Sequence, residues 1–378
     1  MDSSKQAFDV RIENAFDFLS DEYAALFKDA AATAFQHPLW LHGLYGKLVP
    51  GVGSKPLIVV VRNRTSGTLA MVLPLLRLRR GPVRTVEFAD LRVSDYLAPV
   101  CTAKAFSDLL QDENACLRLR RLVKPFDLLR MPKLPDGRIP LENLLAAPRR
   151  VAMDTNAYST VLFAPFEQWR ANALERSYQK ELAKKWRQLE KKGAVSFCCC
   201  EDAASVAEAM ELMKKLRGPR FHAQGDGDLL QRPEYFEFYS DIAARGLNSF
   251  VRLYVMKMDG KVIAAVLGLH HGDSLLVIMS AFDIAGYKNQ SLGALTFERV
   301  ARDCIERGDR ILDFTIGDES YKRLFGAQPS PMWSVTQAGS VAGSVALLAL
   351  KQAPWIKLAA KRMAGFKPLS GRVSTRAR

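Results

Sequence analysis

The sequence has no CxxC pair, no charged-then-apolar leader and no apolar run long enough for a bilayer. Six cysteines are present: Cys101, Cys116, Cys198, Cys199, Cys200 and Cys304. Their spacing fits neither a zinc site nor a disulfide framework. Three of them are adjacent, and a strand would point such neighbours to opposite faces. They read as small apolar side chains in a reducing compartment, and no metal is expected. The longest apolar run, Val341 to Leu350, falls short of the ~20 residues a membrane span needs. The opening Met-Asp-Ser-Ser-Lys-Gln carries no secretory pattern. Cytoplasmic location is the expectation.

Acidic residues are absent from one long stretch. From Lys351 to Arg378 there are eight Lys and Arg and no Asp or Glu, a net +8. Arg170 to Lys192 adds eight bases against three acids, a net +5. These segments hold 13 of the 14 net charges, so the remainder is nearly neutral. Such surfaces attract nucleotide phosphates, RNA or anionic lipid through the same Coulomb attraction. In the tail, Trp355, Ile356, Leu358, Met363 and Phe366 alternate with bases. That pattern suits peripheral contact with the inner face of a membrane, or a disordered solubilising end.

At 378 residues, 48% hydrophobic and 25% charged, the chain can bury one large core or two smaller ones. A helix is expected within 11–30. A strand hairpin follows at Pro56–Val61 and Leu69–Leu78, with short strands at Val83–Phe88 and Tyr96–Cys101. Next come a helix from about Lys104 to Leu122 and a strand at Phe126–Met131. Pro132 to Pro148 reads as loop, and a domain boundary is placed just beyond it. The expected division is 1–152, 153–337 and a helical basic tail over 338–378.

The second half opens with a strand at Ser159–Phe163. Leu174, Tyr178, Leu182, Trp186 and Leu189 then form an apolar stripe on a lysine-rich helix closed by Gly193. A helix over 203–216 leads to a flexible loop from Arg217 to Asp228, which includes Arg220 and His222 and suits either a mobile lid over substrate or an ordinary surface loop. Val251–Met258, Val262–His270 and Leu275–Phe282 form an antiparallel meander. A loop, a helix ended by Gly308, a strand at Ile311–Phe314 and a last strand near Trp333–Val335 follow. Strand–Gly-turn–strand patterns at Val59–Leu75 and Leu253–Leu269 echo one another, a hint of two related units.

Chemistry concentrates in two places. At Lys288-Asn-Gln-Ser291-Leu292-Gly293-Ala294, small residues stand where a helix begins. There, free amides and the helix dipole favour phosphate; an ordinary helix cap is the alternative. After the apolar run Ile311-Leu312, the stretch Asp313-Phe-Thr-Ile-Gly-Asp318-Glu319-Ser-Tyr321-Lys322-Arg-Leu-Phe325-Gly326 gathers acids, a tyrosine and a lysine at a solvent edge. Amine acylation needs a base, and Asp283, Asp313 and Asp318 are candidates, each equally readable as a turn former or ion-pair member. Tyr321 is a candidate acid. His37, before Pro38, reads as a packing residue, and His270 and His271 as solvated turn residues.

Meander, small-residue loop, helix and strand in this order resemble the core of the GNAT acyltransferase superfamily. Its phosphate loop, Gln/Arg-x-x-Gly-x-Gly/Ala, corresponds to Lys288-x-x-Ser291-x-Gly293-Ala294, with Lys and Ser as departures. Within that superfamily the chain looks most like the CelD-type, BioF2-like acyltransferases. The matching residues are Phe35-x-His37-Pro38-x-Trp40, Ser94-Asp95-Tyr96-x-x-Pro99, Leu189-Glu-Lys-Lys-Gly193, Phe282-Asp283, Ser291-x-Gly293 and Asp313-Phe-x-x-Gly-Asp318-Glu319-x-Tyr321-Lys322. Tyr321-Lys322-x-x-Phe325-Gly326 is also similar to the aromatic-Lys-x-x-Phe-Gly element of Fem-type peptidyltransferases.

The resemblance implies an α/β fold of tandem GNAT-like domains, each a mostly antiparallel twisted sheet flanked by helices. It implies acyl transfer from acyl-CoA to an amine of a sugar or other small acceptor, in polysaccharide or envelope biosynthesis. By the same resemblance Lys322 stabilises an oxyanion, residues 288 and 291–294 hold the acyl-CoA, and Asp95 and Tyr96 face substrate; Arg220 and His222 are expected to face it from the lid loop. Polysaccharide-synthesis machinery is an implied partner. Aminoacyl-tRNA as the donor, with RNA contact through the basic helix, is the alternative; a catalytically degenerate scaffold is another.

Overall fold

The computed structural model describes residues 7–137, 139–147, 149–223 and 227–350. Its thirteen strands form one continuous sheet built from two copies of the same pattern. In the first copy β1 (Phe8–Ile12), β2 (Lys55–Asn63), β3 (Leu69–Arg80) and β4 (Val83–Phe88) pair antiparallel in succession. Then β6 (Leu128–Pro135) lies parallel to β4. In the second, β8 (Val195–Cys199), β9 (Val251–Met258), β10 (Lys261–His271) and β11 (Ser274–Phe282) repeat the antiparallel series. There β12 (Ile311–Ile316) lies parallel to β11. The two-residue β5 (Val100–Cys101) sits beside β3. The echo seen in sequence thus falls on β2–β3 and β9–β10, the corresponding hairpins of the two copies.

Two strands exchange between the copies. β7 (Arg149–Val161) follows the first copy but pairs antiparallel with β12 of the second. β13 (Gln328–Ala338) follows the second but pairs with β6 of the first, and the two exchanged strands pair with each other. Each copy is therefore extended, at the centre of the whole sheet, by a strand from the other. The expected boundary at 152/153 falls inside β7, and the short last strand expected near Trp333 is an eleven-residue central strand.

Helices cover both faces. On one face α1 (Asp21–Asp29), α2 (Pro38–Gly43), α9 (Ala203–Ala223) and α10 (Pro233–Arg245) share one core that runs across both copies. The connection after α2 includes the short α3 (Val49–Gly51). On the other face there are two separate cores. One lies under α4 (Ala103–Gln111), α5 (Glu113–Val123) and α6 (Leu141–Leu145). The other lies under α7 (Phe166–Ala173), α8 (Arg176–Glu190), α11 (Leu292–Glu306) and α12 (Ser320–Leu324). In β2, Leu57, Val59 and Val61 enter one core while Ile58 and Val60 enter the other, so a continuous β-branched run is what burial on both faces demands. Of the expected α8 stripe, Leu182 and Leu189 are buried and Tyr178 and Trp186 half-buried, while Leu174, also buried, precedes the helix, and Lys180 and Lys184 face out.

Four local expectations change. The segment expected to be helix from residue 11 begins as strand β1, whose Phe8, Val10 and Ile12 alternate with polar residues. The single helix over 104–122 is two helices, because the Asp112 carboxylate caps the second by accepting from the Ala115 amide. The loop expected over 132–148 holds the end of β6 and all of α6. The lid expected from Arg217 is helical through Ala223 as the end of α9. Its Arg217 is tied to the Asp228 carboxylate and the Ser280 carbonyl.

Candidate functional site

The parallel pairing of β11 with β12 lasts only three residue pairs, from Ser274–Ile311 to Leu276–Asp313. Beyond them both strands are irregular. The β10–β11 register slips at Ile278, and the β12–β7 register slips over residues 314–315. Thr315 adopts φ 58°, a left-handed conformation that a β-branched residue avoids unless its surroundings impose it. Here they do. The Thr315 amide donates to Asp313 Oδ1 at 2.7 Å, its hydroxyl reaches the Val277 carbonyl at 3.3 Å, and its carbonyl accepts from Lys322 Nζ at 3.1 Å.

Where the strands part, a cavity of about 600 Å³ opens between them, lined by residues of β11, β12, α11 and α12. One end is the start of α11. Asn289 and Ser291 both have positive φ, and the Ser291 side chain does not cap the helix, whose first internal bond is Leu295 N–H to the Ser291 carbonyl. The amides of Leu292, Gly293 and Ala294 thus lie in the uncapped first turn, at the positive end of the helix. All three residues, with Ser291, line the cavity. A Cβ on Gly293 would stand 3.1 Å from the Phe282 ring, so glycine lets the strand's last aromatic close over the helix start. The expected loop residue Lys288 is exposed and lies off the lining.

At the other end stands Lys322. It is buried, and Nζ donates to the carbonyls of Thr315 and Gly317 at 3.1 and 3.0 Å and pairs with Glu319 at 3.0 Å. The pairing with Glu319 is that of a surface ion pair in sequence, but the ammonium itself is inside the protein. Tyr321, on the same wall, stacks on Phe297 with ring centroids 5.3 Å apart.

Facing them is Asp95, delivered by the loop after β4 of the first copy. Burial raises its pKa above the ordinary carboxylate range, against the pull of Lys133 and a hydrogen bond from Thr315. Nothing in the sequence distinguishes Asp95 as a base. Its partners Thr315 and Lys322 lie more than two hundred residues away, and only the shared sheet unites them.

The three acids weighed as bases occupy other positions. Asp283 accepts from the Gly286 amide at 2.8 Å and shapes the loop before α11. Asp318 accepts from Asn156 and Tyr158 at 3.1 and 3.0 Å, and the Asn156 bond chiefly holds its pKa below the usual range. Neither lines the cavity. Asp313 lies behind the site, in a cavity of about 180 Å³ with Tyr96 and His271. The Tyr96 hydroxyl donates to its two oxygens at 2.9 and 3.0 Å. Tyr96 therefore holds Asp313 and does not line the larger cavity. The side chains of Arg220 and His222 lie outside the described residues.

Burial raises the Asp313 pKa to about 6. The unfolded chain releases this proton near pH 4, so between about pH 4 and about pH 6 the folded state holds more protons and stability falls as pH rises. Asp313→Asn keeps an acceptor for Tyr96 and Thr315 but cannot titrate. Urea midpoints of the variant are expected to lose this dependence, which is on the order of 2 kcal/mol across the window. Parallel curves for the two proteins would contradict the assignment.

The histidines have structural partners. His37 stacks on Phe250 at 3.7 Å, and burial lowers its pKa to about 4, in keeping with a packing residue. His270 and His271 end β10 instead of forming a solvated turn; His270 bonds the buried Asp309 at 3.1 Å. No cysteine is among the cavity's lining residues.

Residues 176–323 match the family model described as acetyltransferase (GNAT) domain. The match runs from α8 to α12 and omits the first copy, β7 and β13. That stretch is thus similar to a GNAT acetyltransferase domain, and it lies within a mixed α/β fold whose large sheet is mostly antiparallel. Among solved structures it resembles the C-terminal domain of a putative lysylphosphatidylglycerol synthetase from Agrobacterium fabrum. That likeness has 12% identity, 90% of this chain and 97% of the other covered, and a TM-score of 0.53. It likewise resembles FemX (13% identity, 86% and 96% covered, TM-score 0.53). L-PGS from Bacillus licheniformis is a further likeness (10% identity, 86% and 94% covered, TM-score 0.52). At these identities the shared property is the fold, and it extends over both copies. No curated protein matches the sequence.

Proposed function

We propose that the protein is an acyl-CoA-dependent N-acyltransferase of the CelD-type, BioF2-like branch. It acts on an amine of a sugar or other small acceptor in polysaccharide or envelope biosynthesis. The observation that carries the reading is one cavity with phosphate-binding character at one end and a buried ammonium facing a carboxylate at the other. The uncapped amides of residues 292–294 suit the pyrophosphate of coenzyme A, and the gap between β11 and β12 suits its extended arm. Transfer proceeds by direct attack. The acceptor nitrogen bonds to the thioester carbonyl carbon, Asp95 takes its proton, and Lys322 offsets the charge developing on oxygen. The carbon–sulfur bond then breaks, and the Tyr321 hydroxyl gives its proton to the thiolate.

One observation favours a second donor, aminoacyl-tRNA. The basic helix α8 packs against the same loop: Lys185 donates to the Asn289 carbonyl, and Lys192 lies 5.9 Å from the Tyr287 ring centre. Calorimetric titration separates the donors. Acetyl-CoA is expected to bind, and Gly293→Leu, which forces a side chain against Phe282, is expected to weaken it by at least about tenfold, or ~1.4 kcal/mol. Binding of aminoacyl-tRNA without acetyl-CoA would overturn the first reading. Equal acetyl-CoA binding by both proteins would remove residues 291–294 as its seat.

A further inference from the structure

The chain leaves β13 into a helix over residues 341–350. Small residues fasten one side of it. The Gly339 amide donates to the Asp127 carbonyl at 2.8 Å, and the Ser340 hydroxyl donates to the Asp127 carboxylate at 2.8 Å. A Cβ on Gly343 would fall 1.6 Å from the Asp127 carbonyl oxygen, so the helix lies directly on that backbone. The outer side is apolar. Val341, Val345 and Leu348 are 82%, 61% and 58% exposed, and their spacing puts them on one stripe.

The ground around this stripe is basic. Arg84, paired with Asp127 at 3.0 Å, is exposed, as are Arg79 on the same hairpin and Arg121 and Lys124 at the end of α5. Arg77 donates to the carbonyls of Leu122, Lys124 and Pro125, which fastens the hairpin to that helix end. Beyond residue 350 the sequence continues with eight Lys and Arg, no acid, and Trp355 and Phe366 among them. An apolar stripe framed by cations excludes nucleic acid as its natural cover, since nucleic acid offers phosphates and no hydrocarbon. A second copy would set like charge against like charge. An anionic bilayer satisfies both features, taking the apolar face at the headgroup boundary and the bases at its surface. No helix among the described residues is long and apolar enough to cross a membrane, so the contact lies along the surface.

We propose that the 341–350 helix docks the protein onto an anionic membrane surface, inserting Val341, Val345 and Leu348. The proposal is independent of the acyl donor. It is tested by flotation of the full chain with vesicles of phosphatidylcholine alone and of phosphatidylcholine with phosphatidylglycerol. Wild type is expected to float with the anionic vesicles, less so at high salt, and to stay behind with the neutral ones. Val345→Asp combined with Leu348→Asp, on an exposed face, is expected to keep the wild-type melting temperature and to weaken flotation by at least about tenfold. Unchanged flotation of the double variant would mean that charge alone adheres, and would overturn the docking face. So would absence of wild-type flotation, equal flotation with both vesicles, or a dimer by light scattering that the double variant abolishes.

Discussion

Lys322→Met lowers the rate of acyl transfer by about 10²–10³ while leaving the affinity for acetyl-CoA close to that of wild type. The split follows from where the ammonium sits. It is buried at the inner end of the cavity, held by the carbonyls of Thr315 and Gly317 and paired with Glu319, and in the proposed reaction it offsets the further negative charge that appears as the tetrahedral intermediate forms. Two features of the chain make this position. The left-handed turn at Thr315 aims a carbonyl at Nζ, and the short helix α12 places Lys322 one turn from Glu319. The variant also loses stability, by about 1–3 kcal/mol, because two carbonyls lose their donor. Steady-state kinetics beside urea unfolding check both parts. A rise in KM at constant turnover would assign Lys322 to ground-state binding instead.

Asp95→Asn lowers transfer by about 10²–10⁴ and removes a limb of the pH–rate profile. A base must be ionised to accept the ammonium proton, and burial raises the Asp95 pKa above the ordinary carboxylate range. Wild-type activity therefore climbs as pH rises through that elevated value and flattens beyond it. Asparagine is isosteric and can still accept from Thr315, but it takes no proton, so the residual activity of the variant lacks that limb. An unchanged profile at reduced rate would make Asp95 a positioning residue.

Much of the second copy is legible in the sequence. The meander from Val251 to Phe282 follows from alternation and Gly turns. The α8 stripe follows from spacing, and the helix start at 291–294 follows from small residues. Tyr321 and Lys322 of the closing motif both line the cavity, because both are set by local chain geometry after β12. What local pattern does not encode is pairing between distant strands. The exchange of β7 and β13 is such a pairing, and it makes the first copy part of the site by seating Asp95 against Thr315. The same blindness made Asp313, Asp318 and Asp283 look interchangeable. Their partners Tyr96, Asn156 and Gly286 are what separate a held carboxylate, a strand-edge acceptor and a loop former. The end of α9, from residue 217, reads as a loop in sequence because Gly218-Pro219 normally breaks a helix, yet Gln231 donates to the Lys214 carbonyl one turn earlier and supports that stretch.

Single-turnover thiol release from acetyl-CoA, with a small amine such as hydroxylamine supplied to wild type, Asp95→Asn and Lys322→Met, tests the central claim most directly. The account predicts amine-dependent release by wild type, and release slower by at least about 100-fold in each variant despite retained acetyl-CoA binding. Wild-type rates in both variants, or transfer from aminoacyl-tRNA with none from acetyl-CoA, would contradict it.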